Sequence, residues 1–492
     1  MKILLTAYNQ EDYFVHCFLK SMPGAFVELK ELEDRHVDIL LPLSQSSIYP
    51  TINKGYCTEE IPVLFGEKTH LISIVRVPLS DHNVFFVSHS AFFSKDLGKK
   101  FIHDNFPNVS DSWEPHLYLF FSLCVAEFIS FGFNTYDVIN VLDSEGGLIP
   151  TILKKRFGVF SPPIVLSVFN VKKQIIGSNQ LAEELYRVLN IQFKMVGEKE
   201  HNYIDFNAHG IMKSDFISTV SRSLDKDVLT KFIPALLSVL EKKPERIVGI
   251  NLGFEYKEAR DVFRSSLGAE IHKEKLKFKS KLLRNFDLPA HKLSLEQPIF
   301  AYDYNSANKD TPLVQKVLAK LPEKAGLHII FVDRANYVSA CRDFPSSNCF
   351  CVISDFGHLM FKHQIPDVLL KLLCGIDFFV VLDKVPMRSD FIALVNYCGG
   401  LLIGLSEGVA KDMVREGRNG FLFNSYNVRS FEQKFNKALS IYNSLGFEEM
   451  LEVATSMRFT WSDTAKRYFD LYEKALQLRA HEIESQQKKA TP

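Results

Sequence analysis

The sequence lacks an excess of either charge, and this absence narrows the classes of partner. Lysine and arginine number 58, aspartate and glutamate also number 58, and the formal net charge at pH 7 is zero. Proteins that bind nucleic acid mainly through its phosphates carry a clear excess of basic residues. We therefore expect no nucleic acid among the main partners.

A hydrophobic run long enough to cross a membrane is also missing. The most apolar stretch, residues 117–133, is interrupted by Glu127 and is shorter than the roughly 20 apolar residues that a spanning helix needs. It predicts a buried core helix and no membrane span. The opening residues, MKILLTA, place one lysine before a short apolar run, which predicts a first β-strand and not a secretion signal.

Cysteine is sparse, with eight residues scattered along the chain. The closest pair, Cys349 and Cys351, lies in an apolar run, and its C-x-C spacing is not that of a metal site. Buried free thiols in a reducing compartment are the usual reason for such a pattern. We therefore expect a cytoplasmic protein with no metal site and no resident cofactor.

The sequence does contain alternating apolar strands and amphipathic helices, most clearly over residues 374–423. This stretch predicts strands at 377–382 and 401–405, a helix at 389–397 and a turn at Asn419–Gly420. Strands and helices that alternate with short joints indicate a parallel sheet covered on both faces. Ligands of such sheets bind beyond the carboxyl ends of the strands.

Segments along nearly the whole chain resemble the starch and glycogen synthases, which are two-domain sugar-nucleotide glycosyltransferases. The resemblance is carried by SDFISTVS at 214–221, by GRNGFLF at 417–423, and by FTWS at 459–462 with its following helix. It implies the α/β GT-B fold, in which two doubly wound Rossmann-like domains face each other across a cleft.

The domain boundaries follow from the same resemblance. They place the acceptor-side domain at 1–253 and the nucleotide-sugar-side domain at 254–455. A terminal helix at 456–478 crosses back to the N-terminal domain, and a polar tail follows at 479–492. Between the two sheets, the basic run HKEKLKFKSKLLRN at 272–285 predicts a solvated helix face.

In the N-terminal half, the resemblance assigns three positions. Asp143 matches an acceptor-side aspartate, and its alternative role is a helix N-cap beside Gly146. Lys20 matches the lysine of a glycine loop that lies near the donor diphosphate, and an ordinary exposed lysine is the alternative. Phe169 replaces a histidine that hydrogen-bonds the transferred sugar, a bond that phenylalanine cannot make.

In the C-terminal half, the resemblance assigns the donor side. Lys309 matches a lysine that stabilises the leaving diphosphate, whereas Tyr304 replaces the arginine beside it. Val385 replaces the glutamate that hydrogen-bonds the donor sugar. Arg388 replaces a glycine and is a candidate cation for phosphate. The donor-binding candidates are therefore Lys20, Lys309 and Arg388.

Three functional hypotheses follow from this pattern of matches, and one of them is an effector or assembly subunit that uses the two-domain scaffold only as a surface for a protein partner. The leading hypothesis is a synthase-like protein without synthase catalysis that acts as a binding or regulatory partner in glucan metabolism, with a glucan, a nucleotide sugar or a protein as its partner. The alternative is an active retaining glycosyltransferase with a rewired site, which transfers glucose from ADP-glucose or UDP-glucose to a glucan or another acceptor.

Overall fold

The structure is a computed structural model that describes residues 1–10, 12–29, 36–45, 56–109, 112–132, 135–170, 173–189, 204–221, 223, 234–256, 268–285, 297–303, 316, 327–332, 349–353, 367–381, 389–442 and 444–490. The chain divides into two compact units. Unit 1 comprises Met1–Thr219, Lys226–Ile250 and Ser462–Pro492, and unit 2 comprises Val220–Asp225 and Asn251–Trp461.

The described strands of unit 1 build one large sheet and one small ladder. They are β1 (Lys2–Thr6), β2 (His36–Pro42), β3 (Tyr56–Phe65), β4 (Lys68–Pro78), β5 (Asn83–Ser88), β6 (Val138–Leu142), β7 (Ile164–Val168), β8 (Ile176–Gly177), β9 (Ile204–Asp205), β10 (Phe216–Thr219) and β11 (Ile247–Gly249). The large sheet has the order β11-β10-β7-β6-β1-β2-β5-β4-β3, and β8 pairs with β9.

Most of this sheet is parallel, and its antiparallel part lies at one edge. The ladders from β11 through β5 are parallel, whereas β4 runs antiparallel to both β3 and β5. All side chains of β6 and β7 are buried, because helices cover both faces of a parallel sheet. The predicted first strand, Lys2–Thr6, is confirmed.

Apart from the last helix of the chain, the described helices of unit 1 lie in the connections between parallel strands of the large sheet. They are α1 (Tyr13–Glu28), α2 (Ser90–Phe93), α3 (Lys95–Asn105), α4 (Glu114–Ser130), α5 (Ile149–Phe157), α6 (Asn179–Leu189), α7 (Phe206–Lys213) and α8 (Pro234–Lys242). Helix α4 is the buried core helix that the apolar run predicts, since its side chains are buried almost all round. Within the described residues, no helix combines the length and the apolarity that crossing a membrane requires.

Unit 2 holds a fully parallel sheet with the order β14-β13-β12-β15-β16-β17. Its strands are β12 (Ile299–Asp303), β13 (Leu327–Val332), β14 (Cys349–Ile353), β15 (Phe378–Val381), β16 (Leu401–Leu405) and β17 (Gly420–Phe423). The order reverses between β12 and β15, as in a doubly wound nucleotide-binding sheet. Strand β16 has the predicted bounds.

The helices that belong to unit 2 are α9 (Gly268–Asn285), α10 (Asp367–Gly375), α11 (Ser389–Tyr397), α12 (Gly408–Met413), α13 (Val428–Ile441) and α14 (Leu445–Ser456). Helix α11 has the predicted bounds. Gly253 allows the chain at Trp461 to approach closely, because a Cβ there would lie 2.4 Å from the Trp461 backbone nitrogen.

The prediction that the basic run of α9 is a solvated face is wrong for two of its lysines. Lys275 and Lys279 are almost completely buried. The Lys275 ammonium donates to the carbonyl oxygens of Cys374 (3.0 Å) and Ile376 (2.6 Å), and Lys279 pairs with Asp377 at 2.9 Å. Lysines four residues apart share one helix face, and here that face is turned toward the core.

The last helix, α15 (Trp461–Ala490), belongs to unit 1 from Ser462 onward. The packing residues predicted in this segment, Ala465, Tyr468, Leu471 and Tyr472, are buried. The boundary expected at 478 lies inside the helix, so residues 479–490 continue it. Arg479 explains the extension, because its guanidinium donates to both carboxylate oxygens of Asp215 at 3.0 and 3.1 Å.

Candidate ligand-binding site in unit 1

The carboxyl ends of β1, β6 and β7 bring a group of polar residues together. Tyr8 and Asp12 follow β1, Asp143 and Glu145 follow β6, and Lys173 follows β7. These three strands are neighbours in the sheet, and parallel strands end at the same edge. This is the edge at which doubly wound sheets bind ligands.

Asp143 lies at the centre of this group in an unusual backbone conformation. Its φ is +63° with ψ of −178°, and it is the non-glycine residue with positive φ in the described part of the chain. Its N–H donates to Ser167 O at 2.8 Å, which extends the pairing of β6 with β7. A positive φ at a residue with a Cβ stores strain and is found mainly where the site needs that geometry.

The turn after Asp143 depends on a glycine. Ser144–Gly146 form a single 3₁₀ turn, and Gly147 follows with its backbone against α7. A Cβ on Gly147 would lie 2.2 Å from Phe206 O, a distance that no side chain tolerates. The close approach of α7 holds this turn, and with it the direction of the Asp143 and Glu145 side chains.

Glu145 and Lys173 form a buried ion pair beside Asp143. Glu145 is 2% exposed, and the Lys173 backbone is fixed on both sides. Its carbonyl oxygen accepts from Asn207 Nδ2 at 2.7 Å and from Ser144 Oγ at 3.3 Å. Burial lowers the pKa of Lys173, but the neighbouring acidic side chains, Glu145 above all, raise it further, so the ammonium stays charged.

Two tyrosines flank the acidic residues. Tyr8 and Tyr118 pack edge to face with ring centroids 4.6 Å apart, and both are half-buried. Burial and the charge of Glu145 raise the pKa of both hydroxyls, so both hydroxyls keep their protons. Protonated phenols beside carboxylates offer hydrogen-bond donors and acceptors at one place.

The structure does not support the N-cap role of Asp143. Its side chain makes no capping hydrogen bond to the turn that follows. Instead, Oδ1 accepts from the Asn170 N–H at 3.4 Å, a long contact, and Oδ2 has no hydrogen-bond partner within the described residues. The acceptor-side role of Asp143 remains a prediction.

Phe169 lies in an aromatic cluster of unit 1. It is 3% exposed, its ring centroid is 5.4 Å from that of Phe18, and Phe18 in turn packs against Tyr468 at 4.9 Å. The side chain therefore contributes packing, and it offers no polar group at the end of β7.

The expected position of Lys20 in a loop is wrong. Lys20 lies inside α1, which spans Tyr13–Glu28 and continues through Pro23. Val15, Leu19 and Met22 are buried at helical spacing, and this apolar stripe requires a helix there. Lys20 is exposed, and the actual joint between β1 and α1 runs through residues 7–12.

The remaining candidates lie outside the described residues. They are Tyr304, Lys309, Val385 and Arg388, so their donor-side roles stay predictions. In the part of the chain that the structure does describe, no group of three or more His, Cys, Asp or Glu is placed to hold a metal ion.

The sequence analysis missed five members of the site, namely Tyr8, Asp12, Tyr118, Glu145 and Lys173. A usable signal was present for four of them, because each follows an apolar strand segment, and the ends of parallel strands meet at one edge. Tyr118 gave no such signal, since it lies inside the apolar run of α4. Together these residues can hydrogen-bond a neutral polyhydroxylated ligand, whereas their excess of carboxylates disfavours a phosphorylated one.

Comparison with known proteins agrees with this fold. The family model for the starch synthase catalytic domain matches residues 21–241. A glycogen synthase of Thermodesulfovibrio yellowstonii is 26% identical over 420 residues, which cover 81% of this chain and 80% of that protein.

Solved structures extend the similarity over the whole chain. The catalytic domain of starch synthase IV from Arabidopsis thaliana, bound to ADP and acarbose, has a TM-score of 0.69 at 15% identity and covers 97% of this chain and 99% of its own. Sucrose-phosphate synthase from Thermosynechococcus elongatus has a TM-score of 0.52 at 11% identity, with 97% and 100% covered. The fold is that of the GT-B glycosyltransferases, which confirms the predicted class. In sequence, the chain is similar to the starch and glycogen synthases over the stretches that these comparisons match.

Proposed function

We propose that this protein binds a glucan in unit 1 without synthase catalysis and acts as a binding or regulatory partner in glucan metabolism. The observation that carries the proposal is Phe169, which packs against Phe18 at the end of β7. A buried phenyl ring supplies no hydrogen bond to a transferred sugar. The polar group around Asp143, by contrast, is present and suits a neutral polyol.

The absence of glycine from the joint between β1 and α1 supports the same proposal. The joint between β1 and α1 reads AYNQED at residues 7–12. It contains no glycine, whereas close approach of backbone N–H groups to a diphosphate relies on glycines. Asp12 adds negative charge at this joint, and a carboxylate disfavours a nearby phosphate.

The test uses the purified full chain with ADP-glucose or UDP-glucose and a glucan primer. We expect no glucose transfer, and we expect maltoheptaose to raise the melting temperature, because a ligand that binds only the folded state stabilises it. Tyr118→Ala should reduce this shift. Tyr186→Ala, at a tyrosine that is 49% exposed on α6, is the matched control and should keep it. Robust glucose transfer by the wild type would refute the proposal.

A second candidate function is an active retaining glycosyltransferase with a rewired site. The strained backbone of Asp143 favours it, because such strain concentrates at functional sites. The donor would be ADP-glucose or UDP-glucose, held by Lys309 and Arg388, and the Arabidopsis relative was solved with ADP.

This candidate predicts that a nucleotide sugar raises the melting temperature and that Lys309→Ala abolishes the increase. Lys316→Ala, seven residues along the chain, serves as its control. The absence of any shift with either nucleotide sugar would count against the candidate.

A further inference from the structure

The charges around Asp143 do not balance. The charges of Glu145 and Asp12 both act on the carboxyl group of Asp143, and Lys173 is a cation that acts on the same carboxyl. These residues come from the joint after β1, the turn after β6 and the joint after β7. If all three acids were ionised, the group would carry a net charge of −2 around a carboxyl that is fully buried.

The ammonium of Lys173 is already committed to Glu145. The two form a direct ion pair, and the hydrogen bonds to the Lys173 carbonyl oxygen fix the lysine from the backbone side. A buried ion pair of this kind is costly to break, because either partner alone would leave an unpaired buried charge. Lys173 therefore neutralises Glu145 and cannot also neutralise Asp143.

Asp143 has little else to stabilise a negative charge. Its side chain is 0% exposed, one oxygen receives a single long N–H contact, and the other has no hydrogen-bond partner within the described residues. Buried carboxylates ordinarily accept two or three good hydrogen bonds. Burial, followed by the charges of Glu145 and Asp12, raises the pKa of Asp143 well above its ordinary value.

We propose that Asp143 is held as a neutral carboxylic acid whose Oδ2 hydroxyl donates a hydrogen bond to an oxygen of the bound saccharide. The identity of the ligand rests on the proposed function, whereas the protonation state rests on the arrangement of Asp12, Glu145 and Lys173 alone. Within the described residues, Oδ2 has no hydrogen-bond partner and is therefore the oxygen that can donate to a ligand.

The first experiment compares two substitutions that each remove one buried acid. Asp143→Asn keeps the shape and the donor of a neutral acid, so its melting temperature at pH 7 should equal or exceed that of the wild type. Glu145→Gln leaves Lys173 unpaired and should lower the melting temperature by roughly 5 °C. An equal decrease in both variants would overturn the proposal.

The pH dependence provides a second readout. A carboxyl that keeps its proton in the folded state and loses it on unfolding makes the fold less stable as the pH rises above the ordinary pKa of that carboxyl. The melting temperature of the wild type should therefore fall between about pH 5 and 8 relative to that of Asp143→Asn. Parallel curves for the two proteins would mean that Asp143 is ionised.

An infrared spectrum observes the proton directly. At pH 8 the full-length wild type should show the carbonyl stretch of a protonated carboxylic acid, and Asp143→Asn should lack that band. Absence of the band from the wild type would contradict the proposal.

Maltoheptaose then tests the hydrogen bond to the ligand. Asp143→Leu fills similar space without a donor, and it should bind about tenfold more weakly than Asp143→Asn, as expected for loss of one buried hydrogen bond. Equal binding by the two variants would refute the donor role. If the wild type binds no glucan, the proposed function fails, whereas the infrared band and the pH dependence still decide the protonation state.

Discussion

At the residue scale, two buried histidines, His116 and His328, give this protein a weakness toward acid. Burial lowers the pKa of His116 to about 4, and neither ring nitrogen of this residue has a hydrogen-bond partner within the described residues. Burial also lowers the pKa of His328 to about 4. In the unfolded chain both rings bind a proton below about pH 6.5. The stability that comes from keeping these rings neutral is therefore fully present above this pH and is lost as the pH falls toward 4.

Replacing His116 by leucine should flatten this loss. We expect the free energy of unfolding of the variant to fall by about 2 to 3 kcal/mol less than that of the wild type between pH 6.5 and pH 4. Chemical denaturation at several pH values measures it. His481→Leu, at an exposed histidine of α15, is the control. Identical pH dependence of His116→Leu and the wild type would contradict the prediction.

At the element scale, aspartates tie neighbouring parallel strands together at the amino ends of those strands, within each unit. Asp137, Asp215 and Asp377 directly precede β6, β10 and β15, and each accepts the N–H of a residue that starts a neighbouring strand, at 2.7 to 2.8 Å. Two of these aspartates, Asp215 and Asp377, are buried, so their negative charges need a neighbouring cation. Asp215 pairs with Lys154 and Arg479, and Asp377 pairs with Lys279.

Helix α9 provides a test of this arrangement. Lys279→Met leaves Asp377 as a buried carboxylate without its cation, so we expect unit 2 to lose about 3 to 5 kcal/mol of stability. Lys277→Met, on the exposed face of the same helix with a side chain 60% exposed, should change stability by less than about 0.5 kcal/mol. Urea unfolding of both variants measures the loss of stability. Similar losses in the two variants would show that the burial of Lys279 does not determine its contribution to stability.

At the scale of the whole molecule, the chain end completes the first unit. Tyr472 donates to Asn140 Oδ1 at 2.6 Å, and Tyr468 shares hydrogen bonds with Ser218 (2.9 Å) and Ser167 (3.3 Å). These partners lie on β6, β7 and β10, so α15 is held by polar contacts as well as by its apolar face. Removing the helix would take these hydrogen-bond partners away from β6, β7 and β10.

A chain that ends at Trp461 tests this dependence. We expect β6, β7 and β10 to lose protection against amide hydrogen exchange, while β15 and β16 of unit 2 keep theirs, because exchange follows local stability. A chain that ends at residue 490 is the control. Loss of protection in both units alike would show that α15 does not belong specifically to unit 1.

Much of the fold was predictable from local patterns. The strands at 2–6 and 401–405 and the helix at 389–397 were correct to the residue, because apolar periodicity and flanking glycines act within a few residues. Contacts between distant segments left weaker signals. The burial of Lys275 and Lys279 depends on residues about a hundred positions away, and a run of lysines by itself is typical of a solvated face.

The sequence by itself determined that this chain forms parallel, doubly wound sheets and resembles the sugar-nucleotide transferases, since alternation, turns and motifs are local properties. Only the tertiary structure decided which polar groups meet. It joined residues that follow β1, β6 and β7 around Asp143, placed Lys20 inside a helix and assigned Lys173 to Glu145. The physical reason is that the pairing of parallel strands brings their ends together across more than a hundred residues, and charge and burial then act between neighbours in space.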